Sequence, residues 1–125
     1  MDKGAQAVVK RSREITESYL QFLDRHIADL VSGQVDDFME INEIAKALFV
    51  SHQHLTDTVQ KETGQHPCHF YDLKIIEKAQ QMLMETPESV SAIARILTYD
   101  PSNFSKFFKK ITGETPGQYR KIHKK

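Results

Sequence analysis

Two stretches of this chain carry one frame. Residues 41–70 read IxxIAxxLxVSxxxLxxxVxKxTGxxPxxF, and residues 90–119 read VxxIAxxLxYDxxxFxxxFxKxTGxxPxxY, with no gap in either. Ile44, Ala45, Leu48, Lys61, Thr63, Gly64 and Pro67 return 49 residues later as Ile93, Ala94, Leu97, Lys110, Thr112, Gly113 and Pro116. Self-similarity over that length marks a duplicated supersecondary unit. A chain of 125 residues that must fold the same unit twice has little length left for anything else.

Inside the frame the apolar residues recur every three and four positions, the period of an amphipathic helix. MEINEIAKALFV is predicted to be a short helix with Ile41, Ile44, Ala45 and Leu48 on one face. Ser51 suits the N-cap of the next helix, HQHLTDTVQKE, and Gly64 its end. Pro67 opens a longer helix over about 67–85, with Phe70, Leu73, Ile76, Ala79, Met82 and Leu83 inward. Ser89 caps VSAIARIL, Asp100 caps PSNFSKFFKKI, Gly113 ends it, and Thr115 with Pro116 opens a last helix. Before the repeat, residues 5–32 form one amphipathic pattern through Ile15, Tyr19, Phe22, Leu23, Ile27, Leu30 and Val31, closed by Gly33. No segment alternates with period two long enough for a strand. The expected fold is all-α, with about seven helices.

The frame also decides how to read KETGQHPCHFY, where His66, Cys68 and His69 crowd together. In the second copy these positions hold Thr115, Gly117 and Gln118, which are not metal ligands. A zinc site there would need a fourth ligand and outer support. A reactive thiol would need a basic neighbour that the sequence does not supply. Neither a metal nor a cofactor is expected. No Ser/His/Asp set, carboxylate pair or phosphate-cradling glycine loop stands out, so an enzyme is not expected either.

Net charge is zero, but its distribution is uneven. Residues 1–40 hold five basic and eight acidic side chains; from Asn103 onward there are seven basic and one acidic. Such a basic patch on a neutral molecule can meet phosphates. The single Cys forbids an internal disulfide framework, no apolar run reaches a membrane span, and the N-terminus has no secretory h-region. A cytoplasmic protein with no membrane contact fits these features.

Each copy is a short helix, a tight turn and a second helix. A small Ala sits where the two helices pack, and Leu55 or Phe104 anchors the second to the first. This is helix-turn-helix logic, and two such units around one long helix are far more specific than one. The chain resembles the DNA-binding domain of the AraC/XylS family of bacterial transcription regulators. IARILTYDPSNFSKFFKKITGETPGQYRK carries most of the likeness. EIAKALFVSHQHL and TGQHP carry it in the first copy, and IIEKAQQML in the joining helix, over about residues 38–122.

The resemblance implies two homeodomain-like helix-turn-helix subdomains joined by a long linking helix. On that basis residues 1–37 are an N-terminal helix and linker, 38–66 the first subdomain, 67–86 the linking helix and 87–125 the second subdomain. It implies recognition helices, about 52–62 and 101–111, in successive major-groove segments of double-stranded DNA, and activation through contact with RNA polymerase.

Helical geometry selects the exposed faces independently of the family. With Leu55 and Val59 inward, the first recognition helix presents His52, Gln53, Thr56, Asp57 and Gln60. With Phe104, Phe107 and Phe108 inward, the second presents Ser102, Asn103, Ser105, Lys106 and Lys109. Gln and Asn suit adenine, and Lys suits guanine or phosphate. Arg95, Arg120 and Lys121 are candidate phosphate clamps, as are the helix N-termini at Ser89 and Thr115. Outside this context all of these are ordinary solvent residues.

Three departures from the family bear on function. Its usual turn glycines are Phe49 and Thr98 here, and a non-Gly residue at positive φ costs roughly 1 kcal/mol, which a reshaped turn would relieve. Asp57 stands where a basic or amide residue is usual and would repel phosphate. Ile75 replaces a usual Arg on the linking helix. The nearly uncharged first recognition helix is therefore expected to contribute less affinity than the second. The alternative is a protein-interaction module of the same fold, binding DNA weakly or not at all through its first unit. The stripe of Tyr19, Phe22, Leu23 and Ile27 is available as core or as a homodimer face. Residues 1–37 are too short for an effector domain, so the chain reads as a stand-alone regulator or as the C-terminal part of a longer one.

Overall fold

The computed structural model describes residues 2–124, with side chains described from Arg11 onward. The described residues form seven helices: α1 (Asp2–Ser32), α2 (Ile41–Ala47), α3 (His52–Thr63), α4 (Pro67–Glu85), α5 (Val90–Ile96), α6 (Pro101–Thr112) and α7 (Pro116–His123). Among the described residues there is no strand. The all-α expectation holds. No described helix is long and apolar enough to cross a membrane.

The caps explain the helix boundaries. Ser51 Oγ accepts from the His54 N–H, Ser89 Oγ from the Ala92 N–H, and Asp100 from the N–H groups of Ser102 and Asn103. Thr115 and Gln118 form a reciprocal capping box at the start of α7. Gly64 and Gly113 end α3 and α6 in the left-handed region, at φ +80 and +87, where a Cβ would be strained. The Thr before each glycine is part of the same stop. Thr63 Oγ1 donates to the Val59 carbonyl and accepts from the Gln65 N–H; Thr112 does the same with Phe108 and Glu114. The repeated Thr-Gly-x-x-Pro is thus a helix stop followed by a helix start.

The chain divides into two compact units: residues 1–25 with 39–72, and residues 26–38 with 73–125. α1 and α4 each serve both units, with the cuts at Arg25/His26 and Asp72/Leu73. A helix spans two packed bodies whenever different turns of it are covered by different partners, and periodicity alone does not show the change.

In the first unit Ile15, Tyr19, Leu23, Ile44, Ala45, Leu55 and Val59 form the core, with Phe22, Leu48, Val50 and Phe70 packed against it. Ala45 has only a methyl group to hold α2 away, and Leu55 and Val59 fill the space from α3. The buried Tyr19 Oη donates to the Pro67 carbonyl at 2.7 Å, which ties α1 to the first turn of α4. The apolar stripe of α1 is consumed here: Tyr19 and Leu23 are buried, as is Ile27 further along. Phe22 of the same stripe is half-buried and packs against this core.

In the second unit Ile75, Ile76, Ala79, Met82 and Leu83 of α4 are buried, with Ile93, Ala94 and Leu97 of α5 and Phe104 and Phe108 of α6. An aromatic ladder runs through it. Tyr99 stacks on Phe107 with centroids 5.3 Å apart, Phe108 meets Tyr119 edge-on at 5.5 Å, and Tyr119 meets His123 at 4.3 Å. Each fully buried Phe contributes about 1.5–3 kcal/mol by leaving water.

Candidate nucleic-acid interface

The two turns that aim the recognition helices share one hydrogen-bond pattern. The Val50 N–H donates to the Ala45 carbonyl (3.0 Å) and the Phe49 N–H to the Lys46 carbonyl (3.0 Å). In the second copy the Tyr99 N–H donates to Ala94 (2.8 Å) and the Thr98 N–H to Arg95 (2.9 Å). This is the Schellman ending, which requires a left-handed residue after the C-cap. Phe49 and Thr98 fill that place at φ +62 and +70. The turns are not reshaped. Two backbone hydrogen bonds, with Val50 packed on the core behind the first turn, outweigh a strain of roughly 1 kcal/mol.

From these turns α3 and α6 start as expected. In α3, Leu55 and Val59 are fully buried, and His52, Gln53, Asp57 and Gln60 are exposed. Thr56 departs from its expected place. It is half-buried, and its Oγ1 is shielded from water with no hydrogen-bond partner among the described residues. At 100° per residue it falls on the flank of the Leu55–Val59 stripe, and Thr58 on the other flank is buried as well. Asp57 is not a loose charge: its Oδ1 accepts from Gln53 Nε2 at 2.9 Å, one helical turn away. That i, i+4 spacing is legible in the sequence.

In α6, Phe104 and Phe108 are fully buried and Phe107 partly so. Ser102, Asn103, Lys106 and Lys109 are exposed, Lys110 is exposed beside them, and Ser105 is half-buried on the flank. Three lysines on one twelve-residue helix, with no acidic residue in its first turn, make this the more cationic of the two faces.

Arg120 is half-buried, and two of its guanidinium nitrogens are turned to backbone carbonyls. Nε donates to the Leu83 carbonyl (3.0 Å) and Nη2 to the Thr86 carbonyl (3.1 Å), where α4 ends. Those carbonyls lack partners inside the helix, and a cation also suits the negative end of the helix dipole. Arg95 and Lys121 remain exposed. The caps Ser89 and Thr115 are already engaged by their own amides.

The histidine–cysteine cluster proves structural at its first member. His66 Nδ1 accepts from the Cys68 N–H at 3.1 Å, so it serves the start of α4. Burial pushes the Cys68 thiol up, helped by Asp72, which is the opposite of what activates a thiolate. Among the described residues no three His, Cys, Asp or Glu side chains gather in a metal-holding arrangement.

Residues 44–122 match the family model described as a helix-turn-helix domain. The chain belongs to the AraC/XylS-type helix-turn-helix family. It is 28% identical over 115 residues to the Msm operon regulatory protein of Streptococcus mutans, covering 90% of this chain and 40% of that protein. It is 27% identical over 97 residues to the lactose operon transcription activator of Staphylococcus xylosus, covering 77% of this chain and 35% of that protein. Its fold matches the C-terminal domain of AraT, a response regulator from Geobacillus stearothermophilus. There the TM-score is 0.77 and the identity 27%, over 89% of this chain and 87% of that one. The chain spans well under half the length of these two curated relatives.

Proposed function

We propose that this AraC/XylS-type chain is a sequence-specific DNA-binding transcription regulator that reads duplex DNA with both α3 and α6. The observation that carries the proposal is the duplicated turn. One Schellman geometry, kept at a cost in strain at both Phe49 and Thr98, launches two helices with buried apolar backs and exposed polar fronts. The front of α3 offers His52, Gln53, Asp57 and Gln60. The front of α6 offers Ser102, Asn103, Lys106 and Lys109, with Ser105 at its edge. Residues in the first turns of each helix, with Lys106, meet base edges, and Lys109 adds a phosphate contact. α6 supplies more of the affinity, since its cations release counterions and α3 has an acidic residue on its front.

The output is activation of transcription through contact with RNA polymerase, in the cytoplasm of a bacterium. Two relatives are named for the operons they regulate, one of them as an activator, which supports an operon-level role.

Selection from a random duplex pool tests this, followed by affinity of the winning sequence at several salt concentrations. Two short motifs about one helical turn apart, with a steep salt slope, are expected. No enrichment, with weak and salt-insensitive binding, would sink the proposal and point to a protein partner instead.

A further inference from the structure

We infer that Asp57 is a positioning residue: it holds the Gln53 amide so that α3 distinguishes adenine from guanine at one base pair. The inference rests on the reading that α3 enters the major groove. Gln53 lies in the first turn of α3, the part of a recognition helix that meets base edges. Its Nε2 donates to Asp57 Oδ1 at 2.9 Å, and both side chains are exposed on one face.

The chemistry follows from what each group can do. An ionised carboxylate only accepts, so it fixes the amide with its nitrogen toward Asp57 and its Oε1 away. One of the two amide hydrogens is spent on that bond. What remains is one N–H beside one oxygen. That pair complements adenine, whose major-groove edge offers the N7 acceptor and the N6 donor. Guanine offers two acceptors, N7 and O6, and would set O6 against Oε1. An unheld glutamine can rotate its amide and turn both hydrogens to guanine. A held one has lost that option, and the nearby carboxylate adds repulsion toward guanine O6. Asp57 thus has a use on a DNA-facing helix despite its repulsion of phosphates.

The test is competition binding of the full chain to the duplex recovered by selection, with each base pair of the α3 half-site replaced in turn. The wild type is expected to prefer A·T to G·C at one pair on the order of 10- to 100-fold, the discrimination of one bidentate contact. Asp57→Ala should bind the A·T duplex at least as well, because a negative charge is gone, yet lose the preference at that pair to a few-fold. Gln53→Ala should lose it equally, and the double variant no further. A purely structural role would lower affinity for all duplexes alike. The inference is overturned if Asp57→Ala keeps the full preference, or if it changes a pair that Gln53→Ala leaves alone, since Asp57 would then read a base itself. Preference confined to the α6 half-site would overturn it while leaving the regulator reading intact. A pool with no enriched duplex would overturn both.

Discussion

Tyr19 and Pro67 stand 48 residues apart, and the phenol of one donates a 2.7 Å hydrogen bond to the carbonyl of the other inside the first unit. The bond joins the helix before the repeat to the helix that follows its first copy. Burial raises the Tyr19 hydroxyl well above the ordinary 10.0, with smaller contributions from Cys68 and Asp72. Tyr19→Phe should cost about 1 kcal/mol in denaturant unfolding, the net worth of a buried neutral hydrogen bond. The raised folded-state value also gives a sign. As pH rises through about 10 the unfolded chain loses this proton and the folded chain keeps it, so stability falls with pH. Tyr19→Phe should flatten that alkaline decline.

Phe49 is 93% exposed and sits at φ +62. Its ring contributes little to the core, and its backbone is strained. Phe49→Gly should therefore raise stability by up to about 1 kcal/mol, less the added freedom glycine gives the unfolded chain. Thr98→Gly should gain less. That side chain is half-buried, and its Oγ1 donates to the Leu97 carbonyl at 2.6 Å. Thermal melts of the two variants in parallel check the order.

Arg120→Ala removes two charged hydrogen bonds from the end of α4 and leaves the longer one from Lys124 Nζ to the Thr86 carbonyl (3.4 Å). A loss of about 1.5–3 kcal/mol is expected, as for hydrogen bonds from a charged group. At a temperature where the variant is folded, the salt slope of its DNA binding should match the wild type. A reduced slope would return Arg120 to the DNA contact set.

His26 is 5% exposed, and burial lowers its pKa below the ordinary 6.5, with Asp29 opposing more weakly. As pH falls through 6.5 the unfolded chain takes up a proton that the folded chain resists. The contribution to stability is present above that value and declines below it. Unfolding followed across this range should show the acid decline, and His26→Gln should weaken it.

Lys106→Ala should weaken binding to the selected duplex by about 1–3 kcal/mol and relax preference at one base pair. Lys109→Ala should weaken binding to all duplexes alike and lower the salt slope by about one unit, as loss of a phosphate contact does. Titrations at several salt concentrations separate the two roles. An unchanged affinity for Lys106→Ala would remove that residue from the interface.

The features legible in the residue order are local. The Ser51, Ser89, Asp100 and Thr115 caps, the Thr-Gly stops and the buried faces through Leu55, Val59, Phe104 and Phe108 depend on residues within one or two turns of each other. Short-range periodicity and capping chemistry encode them directly. Tertiary structure decided the rest. That α1 spends its stripe inside the chain, that Arg120 turns to carbonyls 37 and 34 residues back, and that Thr56 loses its hydroxyl to the flank of the core are long-range facts. An amphipathic helix declares which side it must cover but not what will cover it. An arginine declares its charge but not which acceptors will lie within reach. The left-handed Phe49 and Thr98 show the same division: their intrinsic preference is against positive φ, and hydrogen bonds across the turn with packing behind it overrode that preference.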